Sequence, residues 1–349
     1  MRAAIFCLGI IFTSIASSET TPRDALLVLS KGDHTLAIVD PSTLKIVAKA
    51  PVGEDPHEVV ASSDGHFAYV SNYGGGDFNT LAVIDLINQK FVNSIDLGPL
   101  RGPHGLEFVG GKVWFTAEAA KAIGSYDPAK QTVDWVLGTG QNRTHMILVS
   151  ADMKRLFTTN VSSGTVSIIE KGRRTGFGGP PPGPSPPPNA RRRPMRPPGP
   201  DWDQTVVPVG NGAEGFDVSP DGKELWAANA QDGTVSIIDL TTKKVTDTLQ
   251  ANVPGANRLK FTPDGKLVLI TSLSGSGLTI LDSTSHKEVK RLAMEHGAAG
   301  IQMQPDGSRA YVACTGHNYV AVIDLKTLKI AGRIDAGPEP DGLAWSVQR

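Results

Sequence analysis

A pattern of apolar runs, turns and alternating segments repeats along the sequence. Three close copies start at Ala213, Ala256 and Ala298, and each places a Pro-Asp-Gly turn between two apolar runs and ends in Ile-Asp or Leu-Asp. Looser copies precede them and a partial copy follows, at Pro56, Pro103, Thr144 and Pro340. Because each unit consists of short, β-branched runs joined by turns, the repeats predict strands rather than helices.

The second residue of each copy measures the spacing of the repeat. These residues are separated by 47, 41, 69, 43, 42 and 42 positions along the chain: His57, His104, His145, Glu214, Asn257, Ala299 and Asp341. A period near 42 residues with four short strands per unit is typical of propeller blades. The sequence therefore predicts an all-β, seven-bladed β-propeller over residues 19–349.

The two ends of the sequence each supply part of one blade. DALLVLS, from Asp24, and the two segments after it provide three strands of a unit whose first strand is missing. DGLAWS, from Asp341, provides that first strand. We therefore expect the last blade to be closed by strands from both termini, which removes the free sheet edge that would favour aggregation.

The one long step in the repeat contains a Pro/Arg-rich insertion at residues 171–202. Eleven prolines lie between Pro180 and Pro200, and few apolar residues accompany them, so we expect a disordered surface loop. The segment from Lys171 to Pro200 holds seven basic residues and no acid. A solvated spacer is the simpler interpretation, and a docking arm for an acidic partner or for a polyproline-binding module is the alternative.

Charge and export signals restrict the partners and the location. Without the insertion and Arg2, 26 basic residues stand against 35 acidic ones, and so acidic a body disfavours nucleic acid as a partner. Residues 1–18 have the basic start, apolar run and small-residue cleavage site of a signal peptide, which predicts a periplasmic or secreted protein. No later apolar run is long enough for a membrane span.

The repeat units also resemble a known family. AYVSN, LWAANAQDGTVSIIDL and AYVACTGHNYVAVIDL, each preceded by a Pro-Asp-Gly type of turn, are similar to the YVTN-type propeller repeats of the YncE-like group and of surface-layer proteins. This resemblance implies an exported seven-bladed propeller, but it leaves the function open because propellers host many activities. Lactonase-like propellers have a similar style of repeat, yet no enzyme's set of residues maps onto this chain.

The starts of the repeat units are the candidate functional site. In a propeller the first strand of each blade is innermost, so the residues that enter these strands should surround the mouth of the central channel. Four of them form a donor set suited to Zn, Cu, Mn or Fe: His57, His104, His145 and Glu214. Neighbouring polar residues are candidate ligand-binding groups: Asn72, Glu118, Asn160, Asn229, Asn257, His317 and Asp341. The alternative is that these side chains hydrogen-bond the loops and have only a structural role.

Two functions follow from this site. The first is a binding or scaffold propeller that recognises a small-molecule or protein ligand at the channel mouth, through a bound divalent metal or through polar groups alone. The second is a metal-dependent hydrolase or lyase that acts on a lactone or sugar acid, in which the ion activates water or polarises a carbonyl. Glu214, Asn257 and Asp341 are similar to the acidic and amide ligands of gluconolactonase-type propellers, although those have six blades.

Overall fold

A computed structural model of the chain describes residues 20–173, 200–275, 277–295 and 297–349. The predicted signal peptide (1–18) and residues 174–199 of the predicted insertion lie outside these residues. The described residues form seven antiparallel sheets of four strands each, so the predicted all-β, seven-bladed propeller is confirmed. No helix in these ranges has the length and apolar character that crossing a membrane requires.

The strands follow one another blade by blade. The chain begins with β1 (Asp24–Ser30), β2 (Thr35–Asp40) and β3 (Lys45–Pro51). The next three blades are β4 (Pro56–Ala61), β5 (Phe67–Asn72), β6 (Thr80–Asp85) and β7 (Lys90–Asp96); β8 (Pro103–Val109), β9 (Lys112–Ala117), β10 (Ala122–Asp127) and β11 (Thr132–Gly138); and β12 (Thr144–Val149), β13 (Arg155–Asn160), β14 (Thr165–Arg173) and β15 (Pro200–Pro208).

The second half of the chain continues the same order. Its blades are β16 (Ala213–Val218), β17 (Glu224–Asn229), β18 (Thr234–Asp239) and β19 (Lys244–Leu249); β20 (Ala256–Phe261), β21 (Leu267–Ser272), β22 (Leu278–Asp282) and β23 (Glu288–Leu292); and β24 (Ala298–Met303), β25 (Arg309–Cys314), β26 (Tyr319–Asp324) and β27 (Lys329–Ile334), followed by β28 (Pro340–Val347). Short 3-10 turns follow three of the second strands, at Gly74–Gly76, Val161–Ser163 and Thr315–His317.

The seventh blade is shared between the two ends of the described chain. Its strand order is β28-β1-β2-β3, and β28 pairs with β1 in an antiparallel register that places Leu26 opposite Trp345 and Asp24 opposite Val347. The amide of Gln348 continues this pairing by donating to the carbonyl of Arg23 at 2.8 Å. The predicted closure by strands from both ends is thus confirmed.

The innermost strands of the seven blades form a closed ring around the central channel. β4, β8, β12, β16, β20, β24 and β28 each contact the next, and β28 contacts β4 again. The fourth residue of each inner strand is apolar and packs between blades, as Leu259 does at 1% exposure. Large side chains from the second strands, such as Trp226 and Tyr311, are fully buried there. The core therefore lies between the blades.

Two backbone features shape the channel. In every blade the pairing of the inner strand with the second strand shifts register near its start, which is a β-bulge and re-aims the first side chains of the strand. The third residue of four inner strands is glycine, and a Cβ at any of these positions would overlap the backbone of the neighbouring inner strand: Gly105, Gly215, Gly300 and Gly342. These glycines let neighbouring inner strands approach each other closely.

The insertion begins and ends on a strand pair. β14 and β15 pair along their full length, and the last pair is Arg173 with Pro200. Both strands therefore extend a few residues into the range 171–202 that we predicted as the insertion, and the chain leaves and re-enters the blade at adjacent positions. Residues 174–199 lie outside the described ranges.

Candidate functional site

The mouth of the channel is formed by the starts of the inner strands and by the loops between the second and third strands. Lys31 lies in the loop after β1, and Tyr73 follows β5. Both approach His57, the second residue of β4: the Nζ atom of Lys31 is 2.9 Å from His57 Nε2, and the two aromatic ring centroids are 4.8 Å apart. The two kinds of segment thus meet on one face, as the repeat predicted.

Three histidines from successive blades lie side by side at this mouth. The ring centroids of His57 and His104 are 4.9 Å apart, and those of His104 and His145 are 3.9 Å apart. His104 is 3% exposed and His145 is 2% exposed, so these two imidazoles belong to the interior of the protein. The bulges at the strand starts direct them towards one another rather than into the blades.

His145 lies between two carboxylates. Its Nδ1 atom hydrogen-bonds Glu118 Oε1, and its Nε2 atom is 2.7 Å from Glu214 Oε2, close enough for an ion pair but not aligned for a hydrogen bond. Burial, the largest single effect, lowers the pKa of His145, but the two carboxylates together outweigh it and raise the pKa above its ordinary value. The two carboxylates therefore favour the protonated form of His145, in which Nδ1 donates to Glu118.

The two carboxylates stay ionised because cations surround them. Burial raises the pKa of Glu214, but His145, Arg143 and Arg258 outweigh burial and lower it to about 2. Arg143 reaches both acids: its Nε atom is 3.5 Å from Glu118 Oε2 and its Nη1 atom is 3.6 Å from Glu214 Oε1. The hydroxyl of Tyr73 donates to Glu118 Oε2 at 2.5 Å. Burial, and after it the interaction with Glu118, raises the pKa of Tyr73 to about 12.

His104 is in a different electrostatic state from His145. Burial, followed by the charges of His145 and His57, lowers the pKa of His104 well below its ordinary value, so this imidazole is neutral. Its buried Nδ1 atom has no hydrogen-bond partner among the described residues. Ligand atoms of His104, Glu118 and His145 all lie within 4.8 Å of one another, and this buried group could hold a metal ion.

His57 is adjacent to this group, but both of its ring nitrogens contact other residues. Its Nε2 atom accepts from Lys31 Nζ, and its Nδ1 atom is 3.2 Å from the carbonyl oxygen of Asp55. Lys31 also lies 3.5 Å from Asp341 Oδ2. Burial lowers the pKa of His57. Of the four predicted metal ligands, the structure thus brings His104 and His145 together, places Glu214 against His145, and engages His57 with a lysine.

The remaining predicted ligand residues fall into four groups. Glu118 is part of the buried cluster, whereas Asn257 and Asp341 enter inner strands on other sides of the mouth. The three asparagines end their second strands and donate to hydroxyls of the third strands: Asn72 to Thr80, Asn160 to Thr165 and Ser167, and Asn229 to Thr234 and Ser236. His317 lies in an exposed 3-10 turn, with Nδ1 3.9 Å from Glu295 Oε2.

An ion pair crosses the channel directly below the histidines. Arg258, the residue after Asn257 on β20, is 6% exposed and reaches Glu58 on β4 across the ring. Its Nη1 atom also donates to Asn257 Oδ1 at 3.3 Å. Glu58 and Arg258 occupy the third position of their strands, where four other blades have glycine. We call this pair the channel strut, because it separates the mouth from the lower channel.

Sequence reasoning missed several members of the site. Tyr73 occupies the place directly after its second strand that Glu118 occupies in the next blade, so the repeat itself could have indicated it. Arg143 precedes the inner strand that carries His145 and could have been found in the same way. Arg258 and Glu58 required knowledge that the third inner-strand position faces the channel, which the bulges determine.

Comparison with known proteins agrees with this architecture. A sequence model of the YNCE-like beta-propeller family matches residues 199–305. The predicted resemblance to YncE-like propellers is confirmed. No match was found among curated protein sequences.

Several solved structures superimpose on most of the chain. A proposed 6-phosphogluconolactonase from Bacteroides uniformis has a TM-score of 0.70 at 15% identity, over 93% of this chain and 100% of that one. Hydrazine synthase from Kuenenia stuttgartiensis has a TM-score of 0.63 at 17% identity, over 84% and 90%. Dihydro-heme d1 dehydrogenase NirN in complex with DHE has a TM-score of 0.63 at 16% identity, over 95% and 76%. At these identities the similarity is one of fold.

Proposed function

We propose that this chain is an exported binding propeller that recognises its ligand at the channel mouth through a transition metal held by His104, Glu118 and His145. The observation that carries the proposal is the convergence of ligand atoms from three buried residues within 4.8 Å, where one of these residues, His104, has an Nδ1 atom with no hydrogen-bond partner among the described residues. A structural histidine buried to this degree would be expected to have its ring nitrogens satisfied, and His104 Nδ1 is not.

The donor set fits a small divalent ion. Two imidazole nitrogens and one carboxylate oxygen are the ligands that Zn²⁺ takes in open sites, and Cu²⁺, Mn²⁺ and Fe²⁺ accept the same types. His145 would have to lose its proton and exchange its hydrogen bond with Glu118 for a bond to the ion. Tyr73 and Arg143 would continue to orient Glu118 from outside. A bound ion would supply a Lewis acid for coordinating the ligand.

Metal binding tests the proposal directly. Purified protein without its leader should carry close to one equivalent of a transition metal by elemental analysis, or should take up Zn²⁺, Cu²⁺ or Mn²⁺ saturably in calorimetry near neutral pH. Uptake should weaken as the pH falls, because protons compete for both imidazoles. A bound ion stabilises the native state by mass action, so a chelator should lower the melting temperature of the loaded protein.

A matched pair of variants separates this site from adventitious binding. His104→Ala should lose most of the metal affinity, whereas His66→Ala, which changes a half-exposed histidine paired with Asp64 in a turn, should bind like the parent. Absence of saturable uptake by the parent, or equal uptake by His104→Ala, would refute the metal site. Export is tested separately, by fractionation of cells and by whether the mature N-terminus follows Ser18.

A metal-dependent hydrolase or lyase is the second candidate. It is supported by the neutral state of His104 beside the ionised Glu118, which together offer a base at a site where an ion would polarise a lactone carbonyl. The Bacteroides uniformis propeller described as a proposed 6-phosphogluconolactonase has the same fold. Hydrolysis of a sugar lactone by the metal-loaded parent and not by His104→Ala would favour this candidate over binding alone.

A further inference from the structure

The lower channel, on the far side of the channel strut from the histidines, contains a separate cavity. Its volume is about 290 Å³, and its roof is the ion pair of Glu58 with Arg258. Below the strut its lining combines the charged side chains of Glu107 and Lys260 with apolar residues, among them Val60 and Ala344. Glu107 and Lys260 are the fifth residues of their inner strands, the next channel-facing position after the third.

All but one of the charges around this cavity are compensated. Arg258 pairs with Glu58, and Lys260 Nζ lies 3.7 Å from Asp217 Oδ1. Asp217 also accepts the backbone amide of Phe261 at 3.0 Å. Glu107 is different, because no hydrogen bond or ion pair joins its carboxyl to another of the described residues. When Glu107 is ionised, these groups together carry one uncompensated negative charge at the cavity.

We propose that the lower channel is a binding site for a small organic cation, namely a primary amine with an apolar body of about ten non-hydrogen atoms. The ammonium group would pair with Glu107, and the apolar body would lie against the apolar lining at Val60 and Ala344. A cavity of 290 Å³ is at the lower end of the range for small-molecule sites, which sets the size of the occupant. A divalent metal fits less well, because only one carboxyl is unpartnered.

The charge state of Glu107 connects this site to pH. Burial raises the pKa of Glu107 to about 7, and the nearby Asp217 acts in the same direction while Lys260 opposes it. The other charged groups that line the cavity, Glu58 and Arg258, neutralise each other. An alkylammonium ion keeps its proton up to about pH 10. Amine affinity should therefore increase with pH until Glu107 is ionised and then level off.

Calorimetry with 2-phenylethylamine tests the site, with 3-phenylpropionate and 2-phenylethanol as probes of similar shape but different charge. At about pH 8 the amine should bind the full-length protein saturably with one equivalent, and the anion should not bind. At about pH 5.5 the amine should bind roughly 30-fold more weakly, following the ionised fraction of a carboxyl with a pKa of about 7. Glu107→Gln should weaken amine binding at least tenfold at the higher pH.

Two comparisons keep the test independent of the mouth and of variant folding. His104→Ala should bind the amine like the parent, so failure of the metal site and failure of this site can be told apart. The amine-to-anion preference and the pH profile are measured on the parent and need no variant. Absence of saturable amine binding up to about 10 mM, equal binding of 3-phenylpropionate, equal binding by Glu107→Gln, or a flat pH profile would each overturn the proposal.

Discussion

Replacing Glu107 by glutamine removes a lower-channel carboxyl that has no ion-pair partner among the described residues, and this change should stabilise the protein in a pH-dependent way. The pKa of this carboxyl is raised from 4.5 to about 7 in the folded protein. The folded state therefore holds the proton more tightly than the unfolded state, and stability decreases as the pH rises from about 4.5 to about 7. Below that range Glu107 is protonated in both the folded and the unfolded state, and above it the loss of stability no longer changes with pH.

The magnitude follows from these two pKa values. At 1.36 kcal/mol per pKa unit, ionised Glu107 destabilises the native state by about 3 kcal/mol at high pH and by roughly 1.4 kcal/mol at pH 5.5. The free energy of unfolding of Glu107→Gln relative to the parent should thus rise by about 2 kcal/mol between about pH 5.5 and pH 8.5. This pH-dependent difference is free of any constant contribution from exchanging the two side chains.

Urea unfolding followed by tryptophan fluorescence at both pH values measures the effect. The variant and the parent should share one m-value, so a shift of the unfolding midpoint reports a change in the free energy of unfolding. Glu54→Gln is the matched control, since it makes the same exchange at an exposed position. If the difference between Glu107→Gln and the parent stays the same at the two pH values, or becomes smaller at the higher one, then Glu107 is solvated and the reasoning fails.

Two further predictions concern the ring itself. Deletion of residues 24–50 should cause aggregation or a large loss of stability, because it removes three strands of the shared blade and exposes a sheet edge and core side chains. A truncated protein that remained monomeric and melted at the parent temperature would contradict the closure. Gly300→Ala should lower the free energy of unfolding by about 1–3 kcal/mol or more, because the added methyl group overlaps the backbone of Asp341. The control Gly138→Ala, where nothing lies within 4 Å of the added methyl group, should leave the free energy of unfolding unchanged in the same assay.

The fold could be predicted from the sequence because each blade repeats the same local signals. Turn residues, such as Pro220 and Gly222, mark the strand ends, and the spacing of the copies fixed the number of blades. The closure followed from counting strands at each end. None of these steps required the direction of an individual side chain, so the prediction held for all seven blades.

The site could be predicted only in part, because its geometry depends on side chains that neighbouring loops contribute. The repeat spacing predicted that His104 and His145 lie close together, and their ring centroids are 3.9 Å apart. The role of His57 depends on its contact with Lys31, which comes from another blade. The sequence around His57 does not indicate this contact. The asparagines at the ends of second strands, such as Asn229, were predicted as ligand groups, yet their amides donate to the adjacent third strand.

The shared blade also has a consequence for the order of events during folding. β28 is synthesised after the other described strands, so β1 has no partner on one side while the ribosome adds the intervening blades. Pairing of such distant segments is slow compared with the formation of hairpins inside one blade. The blades can form in sequence on the growing chain, but the ring cannot lock until β28 is available. Until then, the apolar seam beside β1 is a surface that chaperones or other chains can bind.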